Sequence, residues 1–258
     1  MGFLTDHVAR VRADLEAHPL DDSTLLARAL ATPPPRDLLA ALRATAPAFI
    51  AEVKRASPSS GTIAENRDPM EQARAYAEGG ASAISVLTEP RHFHGSLADL
   101  RAARMTTSLP VLRKDFLVHP SQVIESRANG ADAVLLIAAC LTDDELGALI
   151  AASHDLGMAV LLETHSDADL TRALATDASI VGVNARDLES LEVDGPSALA
   201  RLRRIPGDRV AVMESGISSR GDVRAAVDAG ASAILVGEVL MRAADPGAAL
   251  RELAGKER

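Results

Sequence analysis

Tryptophan is absent from this chain, and tyrosine, cysteine and lysine are scarce: one Tyr, one Cys and three Lys among 258 residues. With aromatics at 2% and apolar residues at 47%, the core has to be built from Ala, Leu, Val and Ile. A single cysteine, Cys140, excludes an intrachain disulfide; within the run ADAVLLIAACL it reads as a small core hydrophobe rather than a nucleophile. No apolar run is long enough to cross a bilayer. The N-terminal MGFLTDHVARVRADLEAH mixes acids with bases and lacks a signal core, so a reducing, cytoplasmic setting is expected. A net charge of −9 argues against nucleic acid or an anionic membrane as partner, yet leaves room for an anionic small molecule held by local cations. No P-loop and no GxGxxG appears. His92 and His94 in RHFHGS have no carboxylates or cysteines at ligand spacing, so both read as solvated loop histidines, and neither metal nor cofactor is expected. The oligomeric state stays open, a monomer included.

Arginine supplies nearly all of the 27 basic residues. Lys256 lies in the C-terminal tail, while Lys54 and Lys114 each end an apolar run, AFIAEVK and PVLRK. Arginine stays protonated at accessible pH, whereas a lysine in a partly desolvated pocket can give and take a proton. That placement marks both lysines as candidates, although three lysines must fall somewhere.

An internal repeat indicates the fold. GGASAISVLTEP from Gly79, NGADAVLLIAAC from Asn129 and AGASAILVGEVL from Ala229 share a Gly-Ala-Ser/Asp-Ala core at Gly80, Gly130 and Gly230, and TDASIVGVNARD from Thr176 is a weaker copy. In the three close copies an Ala-rich helical pattern ends at a glycine suited to a left-handed cap, and a β-branched apolar run follows. Four further runs, AFIAEVK, PVLRKD, MAVLLET and RVAVMES, bring the count to eight strands, centred near Ile50, Ser85, Leu112, Leu135, Leu161, Val181, Ala211 and Leu235. Strand–helix alternation with continuous apolar strands predicts a parallel sheet closing into a (βα)8 TIM barrel over residues 48–258. A doubly wound open sheet explains the regular repeat less well. Residues 1–47 read as an N-terminal helical extension packed on the barrel, too short to hold a core of its own.

In such a barrel the C-terminal strand ends form the active face. Read in order they present Glu52 and Lys54, Leu87-Thr88-Glu89, Lys114 and Asp115, Glu163, Asn184 with Arg186, Glu214-Ser215-Gly216, and Gly237-Glu238. Glu52, Lys114 and Glu163 lie before the strands break, where a buried ionisable group is costly unless paired or useful. Structural ion pairing is the bland alternative for each taken singly; the set favours a catalytic centre. The loops after strands seven and eight, ESGIS and LVGEVL, carry Ser215, Gly216, Gly237 and Glu238 beside helix starts, the recurrent phosphate cradle of this fold, and Ser57 adds a hydroxyl. Glu238 is electrostatically awkward there unless only its backbone N–H is used.

AEVKRASPSSG, ISVLTEPRHFHGS, LPVLRKDF, ADAVLLI, LLETH, VGVNARDL, ESGIS and LVGEVLM together resemble, in order, the strand-end motifs of the indole-3-glycerol phosphate synthases of tryptophan biosynthesis. The resemblance spans Phe49 to Met241. It implies conversion of 1-(2-carboxyphenylamino)-1-deoxyribulose 5-phosphate to indole-3-glycerol phosphate, carbon dioxide and water without metal or cofactor. It further implies Lys114 as general acid at the ketone, Glu163 as its proton-transfer partner, and Lys54 as carboxylate anchor or second acid. Glu52, Asn184 and Glu214 would orient these groups and the substrate hydroxyls, and Arg186 would bind the anthranilate carboxylate. Ser57, Ser215, Gly216, Gly237 and Glu238, the last through its backbone, would hold phosphate; Phe93, Phe116, Leu135, Ile137 and Leu188 would wall the aromatic ring. Crowding by Lys54 is expected to ease deprotonation of Lys114, with Glu52 opposing it. The chain departs from the family pattern at Ala185, His119, Ser121 and Met213. Two rivals follow from the residues: another phosphate-binding barrel, such as an isomerase or a Schiff-base aldolase, and a non-catalytic barrel scaffold.

Overall fold

The computed structural model describes residues 2–64 and 67–256. Three helices come first: α1 (Phe3–Ala17), α2 (Asp22–Ala31) and α3 (Leu38–Arg43). Eight strands follow at the expected centres: β1 (Ala48–Val53), β2 (Ala83–Leu87), β3 (Val111–Lys114), β4 (Ala133–Ile137), β5 (Ala159–Thr164), β6 (Ile180–Asn184), β7 (Val210–Glu214) and β8 (Ala233–Val236). Each pairs in parallel with its chain neighbours, and β1 pairs with β8, so the sheet closes. The crossovers are α4 (Pro69–Glu78), α5 (Leu97–Thr106), α6 (Pro120–Ala128), α7 (Asp143–Asp155), α8 (Asp167–Leu174), α9 (Gly195–Leu202) and α10 (Arg220–Asp228). After β8 come α11 (Glu238–Arg242) and α12 (Pro246–Ala254). A short antiparallel ribbon, Ala56–Ser57 with Gly61–Thr62, sits over the exit of β1.

The repeated glycines do what the sequence asks of them. Gly80, Gly130 and Gly230 have φ of +90°, +90° and +104°, a region closed to side chains with a Cβ, and turn each helix sharply into the next strand. Helices α2 to α10 and α12 all begin at a side-chain cap, each contributing about 1 kcal/mol. His119, one of the departures from the family pattern, caps α6 by accepting the Ser121 N–H on Nδ1, while Gln122 reaches back to its backbone. Met213, another, is buried in the layer between sheet and helices.

Alternation on the strands makes two cores. Outward residues such as Ile84, Val134, Val160, Val181 and Ile234 pack beneath the helices. Inward residues such as Ile50, Leu112, Leu135, Leu161, Val212 and Leu235 fill the barrel. The N-terminal segment touches both ends of that inner core. Leu38 and Leu42 of α3 are fully buried in it beneath the strand starts, and Leu4 of α1 joins it near the opposite mouth, where its N–H donates to the Leu188 carbonyl. Buried Asp132 ties the segment down by accepting from the backbone of Arg36 and Val111 while pairing with Arg104. Cys140 is half-buried against both cores, and burial pushes its thiol pKa up.

Candidate active site

The inward alternation that fills the barrel continues past its apolar layers. On β1 it runs Ala48, Ile50, Glu52; on β5 it reaches Leu161 then Glu163; on β6, Ile180 then Asn184; on β7, Val210, Val212, Glu214. Leu112 is followed at the same parity by Lys114 on β3. Period-two geometry therefore delivers three acids, a lysine and an amide from five strands to the C-terminal mouth.

Lys114 is the hub. Its Nζ lies 2.5 Å from Glu214 Oε2, 3.4 Å from Glu163 Oε2 and 3.8 Å from Glu52 Oε2. Glu52 also reaches Lys54 Nζ at 2.8 Å, so it bridges the two lysines. Asn184 Nδ2 donates to Glu163 Oε1 at 3.2 Å, and its own Oδ1 accepts the Arg186 N–H. The three carboxyl groups are buried.

The carboxyl cage corrects the expectation that Lys54 would ease deprotonation of Lys114. Burial opposes the ammonium, but Glu214, Glu163 and Glu52 outweigh it and hold Lys114 well above the usual lysine range. Burial likewise opposes the Glu163 carboxylate; Lys114 chiefly overcomes this and keeps it well below the usual range. Glu214 goes the other way. Burial, then the nearby Glu163 charge, push its pKa well up, against the pull of Lys114.

A cavity of about 500 Å³ opens above this cluster. Every residue expected at the site lines it except Glu214, which is buried against Lys114 beside it. One side is the apolar wall of Phe93, Phe116, Leu135, Ile137 and Leu188; the opposite side holds Ser57, Ser215, Gly216, Gly237 and Glu238, with Arg186 near the wall. Thr88 and Glu89 do not join in: Thr88 bonds Asp115, and buried Glu89 accepts the N–H groups of Arg91, His92 and Phe93, which fixes the loop carrying Phe93. His92 is half-buried rather than solvated, because its ring packs edge-on against Phe3 and His7, which back the wall at Phe116. His94 is exposed, as expected.

The cradle differs in detail from its sequence reading. The start of α10 is not open to an anion, since Asp222 accepts the N–H groups of Ser218 and Ser219 at 3.0 and 2.9 Å. Ser215 and Gly216, with φ of +62° and +72°, instead bend the chain toward the cavity. Glu238 is paired on both oxygens: Arg242 of the same helix donates to Oε1 and the Ser60 hydroxyl, from the loop after β1, donates to Oε2.

Three contributors escape a reading of strand ends. Arg242 lines the cavity beside the cradle, and its only sequence signal is the i,i+4 pair with Glu238. Gly182 sits inside β6, where a Cβ would come within 2.3 Å of Glu214 Oε1; glycine within a strand is the available hint. His165 extends the inward series of β5 by one step. Gly237 was visible, but its space belongs to Glu52: a Cβ there would lie 2.5 Å from Glu52 Oε1 and 2.9 Å from Glu52 Cβ. Gly237→Ala is therefore expected to destabilise the substrate-free protein by about 1–3 kcal/mol through overpacking. Thermal denaturation tests this; an unchanged Tm with only KM raised would assign Gly237 to phosphate alone.

Comparisons with known proteins agree with the geometry. Residues 4–253 match the family model described as indole-3-glycerol phosphate synthase. The chain is 49% identical over 245 residues to the indole-3-glycerol phosphate synthase of Mycobacterium avium (strain 104), covering 94% of this chain and 90% of that one. It is also 49% identical over 259 residues to that of Nocardioides sp. (strain JS614), covering 100% of both. Among solved structures, a 3-hexulose-6-phosphate synthase aligns with TM-score 0.63 at 20% identity over 82% of this chain and 100% of its own. The tryptophan synthase complex from Pyrococcus furiosus aligns at 0.62 and 17% over 81% and 98%. At those identities the structures share the fold alone.

Proposed function

The chain belongs to the indole-3-glycerol phosphate synthase family, and from that premise we propose how its own residues divide the work of ring closure, decarboxylation and dehydration. The observation that carries the assignment is the Lys114 ammonium beside the Glu163 carboxylate, a proton donor and a proton acceptor held 3.4 Å apart on the lining of one cavity.

The substrate's phosphate rests in the loops of Ser215–Gly216 and Gly237–Glu238 with Ser57, its charge countered by Arg242 and Lys54; its aromatic ring lies against Phe93, Phe116, Leu135, Ile137 and Leu188, and Arg186 takes the carboxylate. The ring carbon bearing that carboxylate attacks the ketone, and Lys114 donates a proton to the ketone oxygen. Carbon dioxide leaves with its bonding pair returned to the ring, a step favoured by the apolar wall because a charge disappears. The new hydroxyl departs as water with a proton from Lys54. Glu163 then removes a proton from the carbon next to nitrogen, giving the indole.

Two protons are donated and one is recovered. Glu163 can return its proton to Lys114 across 3.4 Å, and Lys54, the more exposed of the two lysines at the cavity, refills from solvent. The net uptake of one proton equals the carboxylate charge lost as carbon dioxide. A Schiff-base aldolase is disfavoured by the same cage, since a nucleophilic lysine needs a lowered pKa and Lys114 is held protonated. We further take residues 1–47 as an extension of the catalytic unit 48–258, supported by Leu38, Leu42 and Leu4 entering the barrel's inner core. The ligand is a small phosphorylated carboxylate, not nucleic acid; no helix among the described residues is long and apolar enough to cross a membrane.

The test uses the missing tryptophan. Purified protein given 1-(2-carboxyphenylamino)-1-deoxyribulose 5-phosphate is expected to develop indole fluorescence over a near-silent background. Persistent silence would defeat the assignment.

A further inference from the structure

His165 follows β5 directly and continues its inward series, Leu161, Glu163, His165, while the intervening Thr164 turns outward to bond the Gly182 carbonyl. The backbone there is pinned: the N–H groups of His165 and Ser166 both donate to Asp169 Oδ2, and Ser166 and Asp169 form a capping box that starts α8 at once. The imidazole is therefore aimed at the site by a segment with little freedom. Its side chain is only 8% exposed, and Nε2 lies 3.0 Å from Glu163 Oε1. Yet both ring nitrogens are sealed from water without a well-aligned partner, because the ring is turned off the line of the carboxylate oxygen. A buried polar group left in this way costs free energy and calls for an explanation.

The geometry points to His165 as the positioning residue of the proton acceptor Glu163: a small rotation aligns Nε2–H with Oε1 in the working complex, fixing that oxygen between His165 and Asn184 and leaving Oε2 for Lys114 and the substrate. This rests on Glu163 being the base of the final proton abstraction. Catalytic hydrogen bonds that are long or misaligned without substrate tighten when it binds. An apolar side chain would fill the same space; only a donor at the Nε2 position constrains the carboxylate. His165 touches no reacting atom, so its effect belongs to the step Glu163 performs and not to substrate binding.

Three substitutions separate the possibilities, because the amide nitrogen of glutamine reaches the place of Nε2 and that of asparagine does not. His165→Gln is expected to keep kcat within about threefold, while His165→Asn and His165→Leu lose about 10- to 100-fold, the range set by a hydrogen bond to a charged group. KM should stay nearly constant in all three. With substrate deuterated at the methylene between nitrogen and ketone, the isotope effect on kcat should grow in His165→Leu, since loss of that hydrogen becomes slower. A wild-type measurement covers the case in which a variant fails to fold: 15N NMR should show the His165 ring protonated at Nε2 and bare at Nδ1. Full kcat in His165→Leu, an equal loss in all three variants, a change confined to KM, or the opposite tautomer would each overturn the proposal. Glu163→Gln serves as the control. Its full activity would overturn the reading of Glu163 itself, whereas an inactive Glu163→Gln beside an unaffected His165→Leu overturns only the role of His165.

Discussion

Lys114→Met is expected to abolish indole formation, with kcat/KM down by at least the 10²- to 10⁴-fold typical of a positioned acid, and to weaken the fold as well. The two effects share one cause. Lys114 is the cation on which three buried carboxyl groups converge, so methionine removes the proton donor and leaves the acids uncompensated. Breaking a buried ion cluster from one side costs about 3–5 kcal/mol. The pH dependence follows from the direction of each shift. The raised pKa of Lys114 contributes stability that is complete below the ordinary lysine value, about 10.4, and fades as pH climbs above it. In the variant, Glu163 loses the neighbour that depresses its pKa, so its charge becomes a burden at neutral pH and is relieved as acid protonates it. The gap between wild type and variant should thus narrow from pH 7 toward pH 4 in denaturant titrations. Fluorescence assays on variant shown by circular dichroism to be folded check the activity; a variant within tenfold of wild type would exclude Lys114 as the acid.

Glu163→Gln and Glu214→Gln, chemically the same change on neighbouring residues, are expected to act in opposite senses. Glu163→Gln removes the proton acceptor, and activity should fall about 10²- to 10⁴-fold. Its depressed pKa means that the carboxylate contributes stability that is complete above the ordinary value, about 4.3, and is lost only as pH falls through the depressed folded value; the variant is therefore less stable than wild type at pH 7, and the gap closes only well below pH 4. Glu214 has a raised pKa, so the folded state disfavours its ionisation relative to the unfolded chain. Replacing it by a neutral isostere removes that penalty, and Glu214→Gln should match wild type near pH 4 and gain on it as pH rises. The activity loss should also be the smaller of the two, because Glu214 pairs with Lys114 and does not line the cavity. Stability curves for Glu214→Gln from pH 4 to 8, and for Glu163→Gln from pH 7 to well below pH 4, decide the matter. Parallel slopes would show that the cage carries a different distribution of protons.

Most of the rim was legible because a strand transmits position with a period of two and a barrel gathers all strand ends on one face. Glu52, Lys114, Glu163 and Asn184 could be placed from their parity with the apolar residues before them. Parity says which way a side chain points, but not how deep it sits. Glu214 shares the pattern of Glu163, yet does not line the cavity, and Gly182 on the adjacent strand leaves room for it. The capped start of α10, the Arg242 partner of Glu238 and the packing of His92 on α1 depend on side-chain reach across loops, which no local period encodes.

The strand order, the glycine turns and the identity of the ionisable groups were settled by the sequence alone, since each follows from contacts a few residues apart or from a repeat that only one closed architecture satisfies. The protonation of those groups was decided by the tertiary structure. A pKa responds to charges within a few ångströms, and Lys114 meets acids that lie 49 to 100 residues away along the chain. The expectation for Lys114 drawn from its neighbouring lysine had the wrong sign, because Lys54 is one cation while folding brings three carboxyl groups to the same nitrogen.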